Sequence, residues 1–253
     1  MTTLSGTTQK NTAGNRSWRT SLDYSLSSTE TTTTVSTSLY AELITNGKWN
    51  NVYFTTRSIT VAGTSVYSAS TQVTLNWSAK GRKLITTPST KPSYTRGCVA
   101  QTKSISASIK HKESGKTSTA SGTFSVPARE LYTITYNANG GTLGANTVST
   151  CANCGANHKS YGFNCTLSSV IPTRKFFVFT GWNTSADGTG TAYSAGAIYT
   201  ANASVTLYAQ WKPTMYARQG GAWKPITQVY VKINGTWKIV NSILKKVNGA
   251  WKQ

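Results

Sequence analysis

The densest chemistry in this sequence lies in three cysteines and a histidine: Cys151, Cys154, His158 and Cys165, spaced C-x2-C-x3-H-x6-C. A Cys-x-x-Cys-Gly turn lets two thiolates meet one ion, with Gly155 relieving the backbone. His158 and Cys165 can complete a tetrahedron around it. The four residues define a candidate structural zinc site, with His158 the weakest of the four ligands. Four protein ligands leave no open position for water, so this zinc would not be catalytic. The same spacing also suits a Cys151–Cys165 disulfide, a Cys154–Cys165 disulfide, or free thiols in a loop, and all of these stay open. A redox Cys-x-x-Cys is disfavoured because no βαβ pattern follows it. Cys98 stands alone in its part of the chain. Only His111 lies near it and no third group is evident, so it reads as an inert buried thiol rather than a nucleophile.

A second pattern combines aromatic rings with cations. Tyr216 to Lys224, Tyr230 to Lys238 and Leu244 to Lys252 repeat one motif, and Trp223, Trp237 and Trp251 recur 14 residues apart, each followed by a lysine. Asn234-Gly235 and Asn248-Gly249 are strong signals for two-residue hairpin turns. With such a turn Lys232 faces Trp237 on one side of the hairpin, a cation–π geometry, and Val229, Val231 and Ile233 take the other. The motif resembles the Val-Lys-Val-Asn-Gly-x-Trp-Lys endings of many phage tail proteins. Hairpins this short bury little alone. Their lysine and tryptophan faces therefore serve either to stack hairpins or to present repeated ligand sites at Trp223, Lys232, Trp237 and Trp251.

Charge narrows the function classes. The chain of 253 residues carries 26 Lys and Arg against 6 Asp and Glu, a net charge of +20. The six acids are scattered, leaving little material for glycosidase or carboxylate–metal chemistry. No Gly-x-Ser-x-Gly or His-Glu-x-x-His occurs, and His111 and His158 are the only histidines. The chain therefore reads as non-enzymatic. The basic excess suits polyanions, either an anionic cell-wall glycopolymer or acidic protein neighbours. No P-loop, basic run or helical reader suggests specific nucleic-acid recognition. No stretch approaches the roughly 20 apolar residues of a membrane helix. Met1 to Lys10 lacks the apolar core of a signal peptide.

These residues need β-structure to position them. Thr and Gly are abundant and helix-forming runs are scarce. Alternation predicts strands at 17–26, 33–42, 52–61, 71–77, 102–111 and 119–126, separated by turns such as Asn46-Gly47, Ala62-Gly63, Lys80-Gly81 and Ser114-Gly115. Residues 1–128 thus form an antiparallel sandwich. Trp18, Trp49 and Trp77 could serve as ligand platforms; the favoured reading is that one or two of them fill the core and that Trp49, beside Asn46-Gly47, tops a hairpin. The layout, from Trp18 through Ser58-Ile-Thr-Val-Ala-Gly63 to Ser118-Thr-Ala-Ser-Gly-Thr-Phe124, resembles the Ig-like domain of minor structural proteins of tailed phages. It departs from those domains where Tyr94-Thr-Arg-Gly97 replaces their acidic turn.

Residues 131–211 carry four ordered blocks. The first runs from Tyr132 through Tyr136 into Asn137-Ala-Asn139-Gly140-Gly141, a strand and a tight turn. Phe179-Thr-Gly-Trp182-Asn183 and Asp187-Gly-Thr-Gly190 follow. The last is Thr206-Leu-Tyr-Ala-Gln-Trp211. Together they resemble the Listeria–Bacteroides repeat, the module of internalin B-repeats. The resemblance implies a small β-grasp-like, non-catalytic module of surface, adhesive or phage structural proteins. The cysteine-bearing insertion departs from the short polar linker usual there.

The expected fold class is all-β: a sandwich over 1–128, a repeat module over 131–211, and three hairpins over 213–253. The expected function is a structural component of a tailed-phage virion, in the tail, tail tip or fibre. Such a protein is made in the host cytoplasm, assembles into oligomers with other virion proteins, and contacts the host surface. A bacterial surface or secreted adhesin and a capsid-decorating protein are the alternatives.

Overall fold

The computed structural model describes residues 1–151, 154–240, 245–247 and 250–252. Every regular element in it is a strand, so the chain is all-β. Among the described residues no helix is long and apolar enough to cross a membrane. The chain divides into two compact units, Met1–Glu130 and Leu131–Gln253, and the residues after Pro213 fall within the second.

The first unit is a sandwich whose logic is plainest in the strand Thr32–Leu43. Thr33, Val35, Thr37, Leu39, Ala41 and Leu43 are buried and the residues between them are not. That alternation gives the strand one core face and one wet face. Its sheet runs Thr2–Ser5, Ser17–Ser28, Thr32–Leu43, Gly81–Thr86, with Gln9–Lys10 and Ser93–Thr95 paired alongside. The opposing sheet runs Thr117–Val126, Gln101–His111, Trp49–Val61, Thr64–Ala69, with Val73–Trp77 on Trp49–Val61. Inward residues of both sheets, among them Leu22, Leu39, Ile59 and Ile105, form one core. Each such side chain contributes about 1.5–3 kcal/mol by leaving water.

Trp18 and Trp77 lie fully in this core. Trp49 opens the strand Trp49–Val61, half-buried and stacked on Trp77 at 6.1 Å, and does not top a hairpin. The strands flanking Asn46-Gly47 belong to different sheets, which makes that turn a corner. Lys80-Gly81 is a corner for the same reason, whereas Ala62-Gly63 joins a true hairpin, with φ of 49° and 79°.

The second unit is built on a mixed sheet, ordered His158–Ser160, Leu131–Asn137, Val205–Pro213, Phe177–Asn183, Ala192–Tyr193. Its first and last long strands, Leu131–Asn137 and Val205–Pro213, are parallel neighbours, Ile134 opposite Val205 and Asn137 opposite Tyr208. Parallel neighbours require a long crossover. Here the crossover contains no helix among its described residues. It carries Phe177–Asn183 and a second, three-stranded sheet of Thr150–Cys151, Cys165–Thr166 and Ile198–Tyr199. Ile134, Leu207, Ala209 and Trp182 form the core with Leu167, Tyr199 and the two cysteines of the small sheet. After Pro213 come three separate two-stranded hairpins: Tyr216–Gln219 with Ala222–Pro225, Tyr230–Ile233 with Thr236–Ile239, and Lys245–Val247 with Ala250–Lys252.

Candidate binding surface

Cys151 and Cys165 occupy directly opposed positions on adjacent antiparallel strands, with Cα atoms 4.2 Å apart, and are joined by a disulfide. Cross-strand neighbours at that separation are within bridging distance. Cys98 and Cys154 are also disulfide-bonded, and no cysteine is free. Cys98 is therefore not the inert thiol its isolation in the sequence suggests. His158 is exposed on the short strand His158–Ser160, its Nδ1 2.9 Å from the Ala156 carbonyl. The four residues of the candidate zinc site do not fit a metal in this oxidised form. Cysteine binds zinc as its thiolate, and all three sulfurs are committed to disulfides. Of the arrangements that the spacing allowed, the structure has the Cys151–Cys165 disulfide.

The four sequence blocks of the module turn out to clasp one another. The Asn139 side-chain amide donates to the Ala186 carbonyl at 2.7 Å and to the Ala209 carbonyl at 3.0 Å, so the first turn is tied to the third and fourth blocks. The Trp211 indole donates to the Ala138 carbonyl at 3.0 Å. Asn183 Nδ2 donates to the carbonyls of Gly188 and Gly190, and its Oδ1 accepts from the Ser185 N–H. Asp187 Oδ1 accepts from the Ser185 hydroxyl and from both the N–H and the hydroxyl of Thr189. These bonds hold the Asp187 carboxyl down at about 2. Trp182, wholly buried, meets Tyr136 and Phe179 edge to face at 4.7 and 5.0 Å. An open concavity of about 310 Å³ beside it is lined by Gly181, Asn183, Tyr193 and Gln210. The polar residues of the blocks are thus spent on turns and inter-turn ties, a structural use.

Gly140 and Gly141 have different reasons for being glycine. Gly140 sits at φ +84°, after Asn139 at φ +47°. At Gly141 a Cβ would lie 2.4 Å from the Trp211 ring and 2.6 Å from the Thr173 carbonyl oxygen, so this position is set by crowding.

The first two hairpins after Pro213 present their aromatic and cationic residues outward. Asn234 and Gly235 have φ of 47° and 79°, as a two-residue hairpin turn requires. In the resulting register Lys232 pairs with Trp237, its Nζ 5.9 Å from the ring centre. Arg218 pairs with Trp223 in the first hairpin and Lys246 with Trp251 in the third. Trp223 is 69% exposed and Trp237 65%. The side chain of Trp251, and the Asn248-Gly249 turn, lie outside the described residues. A cation opposite a tryptophan in all three hairpins is the repeating unit. Arg218 went unrecognised in the sequence because its strand carries Arg-Gln where the other two carry lysine before the turn.

Residues 132–210 match the family model of the Listeria-Bacteroides repeat domain, so the second unit contains that module. The match covers less than half of the chain. No curated protein and no solved structure matches the chain.

Proposed function

We propose that this protein is a non-enzymatic structural component of a tailed-phage virion, in its tail, tail tip or fibre, with modules that hold the particle to the host surface. The observation carrying this reading is the chain's composite make-up. A β-sandwich, a Listeria-Bacteroides repeat and a tandem of exposed cation–tryptophan hairpins follow one another in one strongly basic polypeptide. Asn139, Asn183 and Asp187 of the repeat are occupied in ties within and between turns, which is what a rigid spacer needs. The outward rings and cations of the hairpins suit adhesion, where many weak contacts act together.

A bacterial surface or secreted adhesin is the second reading. It is favoured by the disulfide-bonded cysteines, because disulfides persist in oxidising surroundings outside the cytoplasm. A virion component meets the same surroundings once its host has lysed.

Protein mass spectrometry of density-purified particles, with immunogold labelling, tests the proposal. The expected result is stoichiometric recovery in particles with label on the tail. Label on the head would favour a capsid-decorating role. Absence from particles together with recovery in the cell-surface fraction would replace the proposal with the adhesin reading.

A further inference from the structure

We infer that the hairpins after Pro213 form a tandem receptor for a phosphate-bearing cell-envelope glycopolymer, bound along the face that carries Tyr216, Arg218 and Trp223 in the first hairpin and Tyr230, Lys232 and Trp237 in the second. This rests on the reading of the chain as a surface-binding protein, and it names the partner and the residues.

The face follows from register. Side chains alternate along a strand, so Tyr216 and Arg218 share one side of the first hairpin, and the partner of Arg218 is Trp223. Tyr230, Lys232 and Trp237 repeat that arrangement 14 residues later, and Lys246 opposite Trp251 repeats its cation–tryptophan pair after 14 more. The two tyrosines are 46% and 52% exposed and the two tryptophans more so. Large rings exposed at a regular interval mark a surface that another molecule covers.

Charge identifies what covers them. From Pro213 to Gln253 there are seven Lys and Arg and no Asp or Glu, and the last acid of the whole chain is Asp187. A second copy of this face would set Arg218, Lys232 and Lys246 against the same cations, with no carboxylate after Asp187 to intervene. A polymer bearing one anion per unit pairs with them directly, and each cation it neutralises releases a counterion. Opposite Arg218 and Lys232 lies a tryptophan ring, and an aromatic face packs against the C–H face of a sugar. The disulfides place the working protein in oxidising surroundings, where the abundant long polyanions are envelope glycopolymers rather than nucleic acid. Repetition along both partners converts weak single contacts into avidity.

The test uses the full, oxidised chain and purified poly(glycerol phosphate) carrying glycosyl substituents, with neutral dextran and single-stranded oligo(dT) as comparison polymers. Two double variants remove the same charge from opposite faces: Arg218→Gln with Lys232→Gln, and Lys224→Gln with Lys238→Gln. Lys224 and Lys238 pair with Ala217 and Val231, on the other side of each hairpin. The expected outcome is binding that weakens with added salt, no binding to dextran, and weaker binding to oligo(dT). The first variant should lose about tenfold or more in affinity and the second no more than about threefold. Trp223→Phe with Trp237→Phe, which keeps an aromatic residue in each hairpin, should retain most of the binding. Equal losses from the two charge variants would overturn the face assignment, leaving only long-range attraction to a basic protein. Tighter binding to oligo(dT) would overturn the glycopolymer in favour of nucleic acid. No binding to the poly(glycerol phosphate) would overturn the inference while leaving the virion assignment, which is tested on particles, intact.

Discussion

Replacing Trp182 separates two contributions that usually act together. The ring is wholly buried against Tyr136 and Phe179, and its indole N–H has no hydrogen-bond partner. Trp182→Ala removes the centre of the module's core, at a cost of about 3–5 kcal/mol. A domain of this size is stable by roughly 4–12 kcal/mol, so that loss is a large share of the whole. Trp182→Phe is a different perturbation. It leaves a void of roughly 40 Å³, worth about 1 kcal/mol, but it also removes a buried donor that costs about 1–3 kcal/mol while unpaired. The two effects nearly cancel, so Trp182→Phe should lie within about 1 kcal/mol of the parent or be more stable. Hydrogen exchange read by mass spectrometry resolves this without relying on tryptophan emission. The amides of Leu131–Asn137 and Val205–Pro213 should lose protection in Trp182→Ala and keep it in Trp182→Phe, while the first unit is unchanged in both. A Trp182→Phe protein as unprotected as Trp182→Ala would refute the reasoning, because it would mean that the indole N–H is bonded and its removal gains nothing.

His111 is buried among Trp18, Trp49 and Phe54, its Nε2 is unpartnered, and desolvation holds its pKa below the ordinary 6.5 against a smaller opposing pull from Glu113. The unfolded chain therefore binds that proton more readily. The stabilisation is complete above pH 6.5 and is lost as pH falls through the folded value. The melting temperature of the first unit should fall on acidification, and His111→Phe should flatten that fall; an equally steep decline in the variant would exclude His111 as its source. Cys151→Ala with Cys165→Ala opens a bridge across a sequence separation of 14 and should destabilise the module by about 3 kcal/mol in chemical denaturation. The oxidised parent should hold under about a tenth of an equivalent of zinc by metal analysis, because thiolates are needed to bind it. Gly140→Asn should cost less than Gly140→Ala, since asparagine tolerates a left-handed backbone, while Gly141→Asn should cost at least as much as Gly141→Ala, about 1–3 kcal/mol by thermal melting.

Much of this was legible in the residues. The long strands of the sandwich announce themselves by alternation because one face of each must be apolar, and Asn234-Gly235 fixes its hairpin because few residue pairs accept two positive φ values. The edge strands Thr2–Ser5, Thr64–Ala69 and Gly81–Thr86 are mostly half-buried or exposed, so they carry little apolar alternation to read. Zinc and disulfide could not be told apart at Cys151, Cys154 and Cys165, because both use the same sulfur atoms at compatible distances. The pairing state of Cys98 is a tertiary property with no local sign. Lys159 is fully buried with its Nζ 2.6 Å from Asn202 Oδ1, a burial that nothing in a polar, cysteine-bearing loop foretells. At Gly141 the residue type was right for a turn but the reason was crowding by Trp211, which only the fold brings near.

The parallel pairing of Leu131–Asn137 with Val205–Pro213 has a mechanical side. The chain enters the module at one end of this strand pair and leaves at the other, so a pull on the two ends runs along the strands. Load then falls on the row of backbone hydrogen bonds between them all at once, in shear, rather than opening them singly like a zip. The pairing also sits in the interior of the sheet, flanked by His158–Ser160 and Phe177–Asn183, so water cannot readily compete for the strained bonds. A pull applied at Leu131 and Pro213 themselves therefore meets the whole row together.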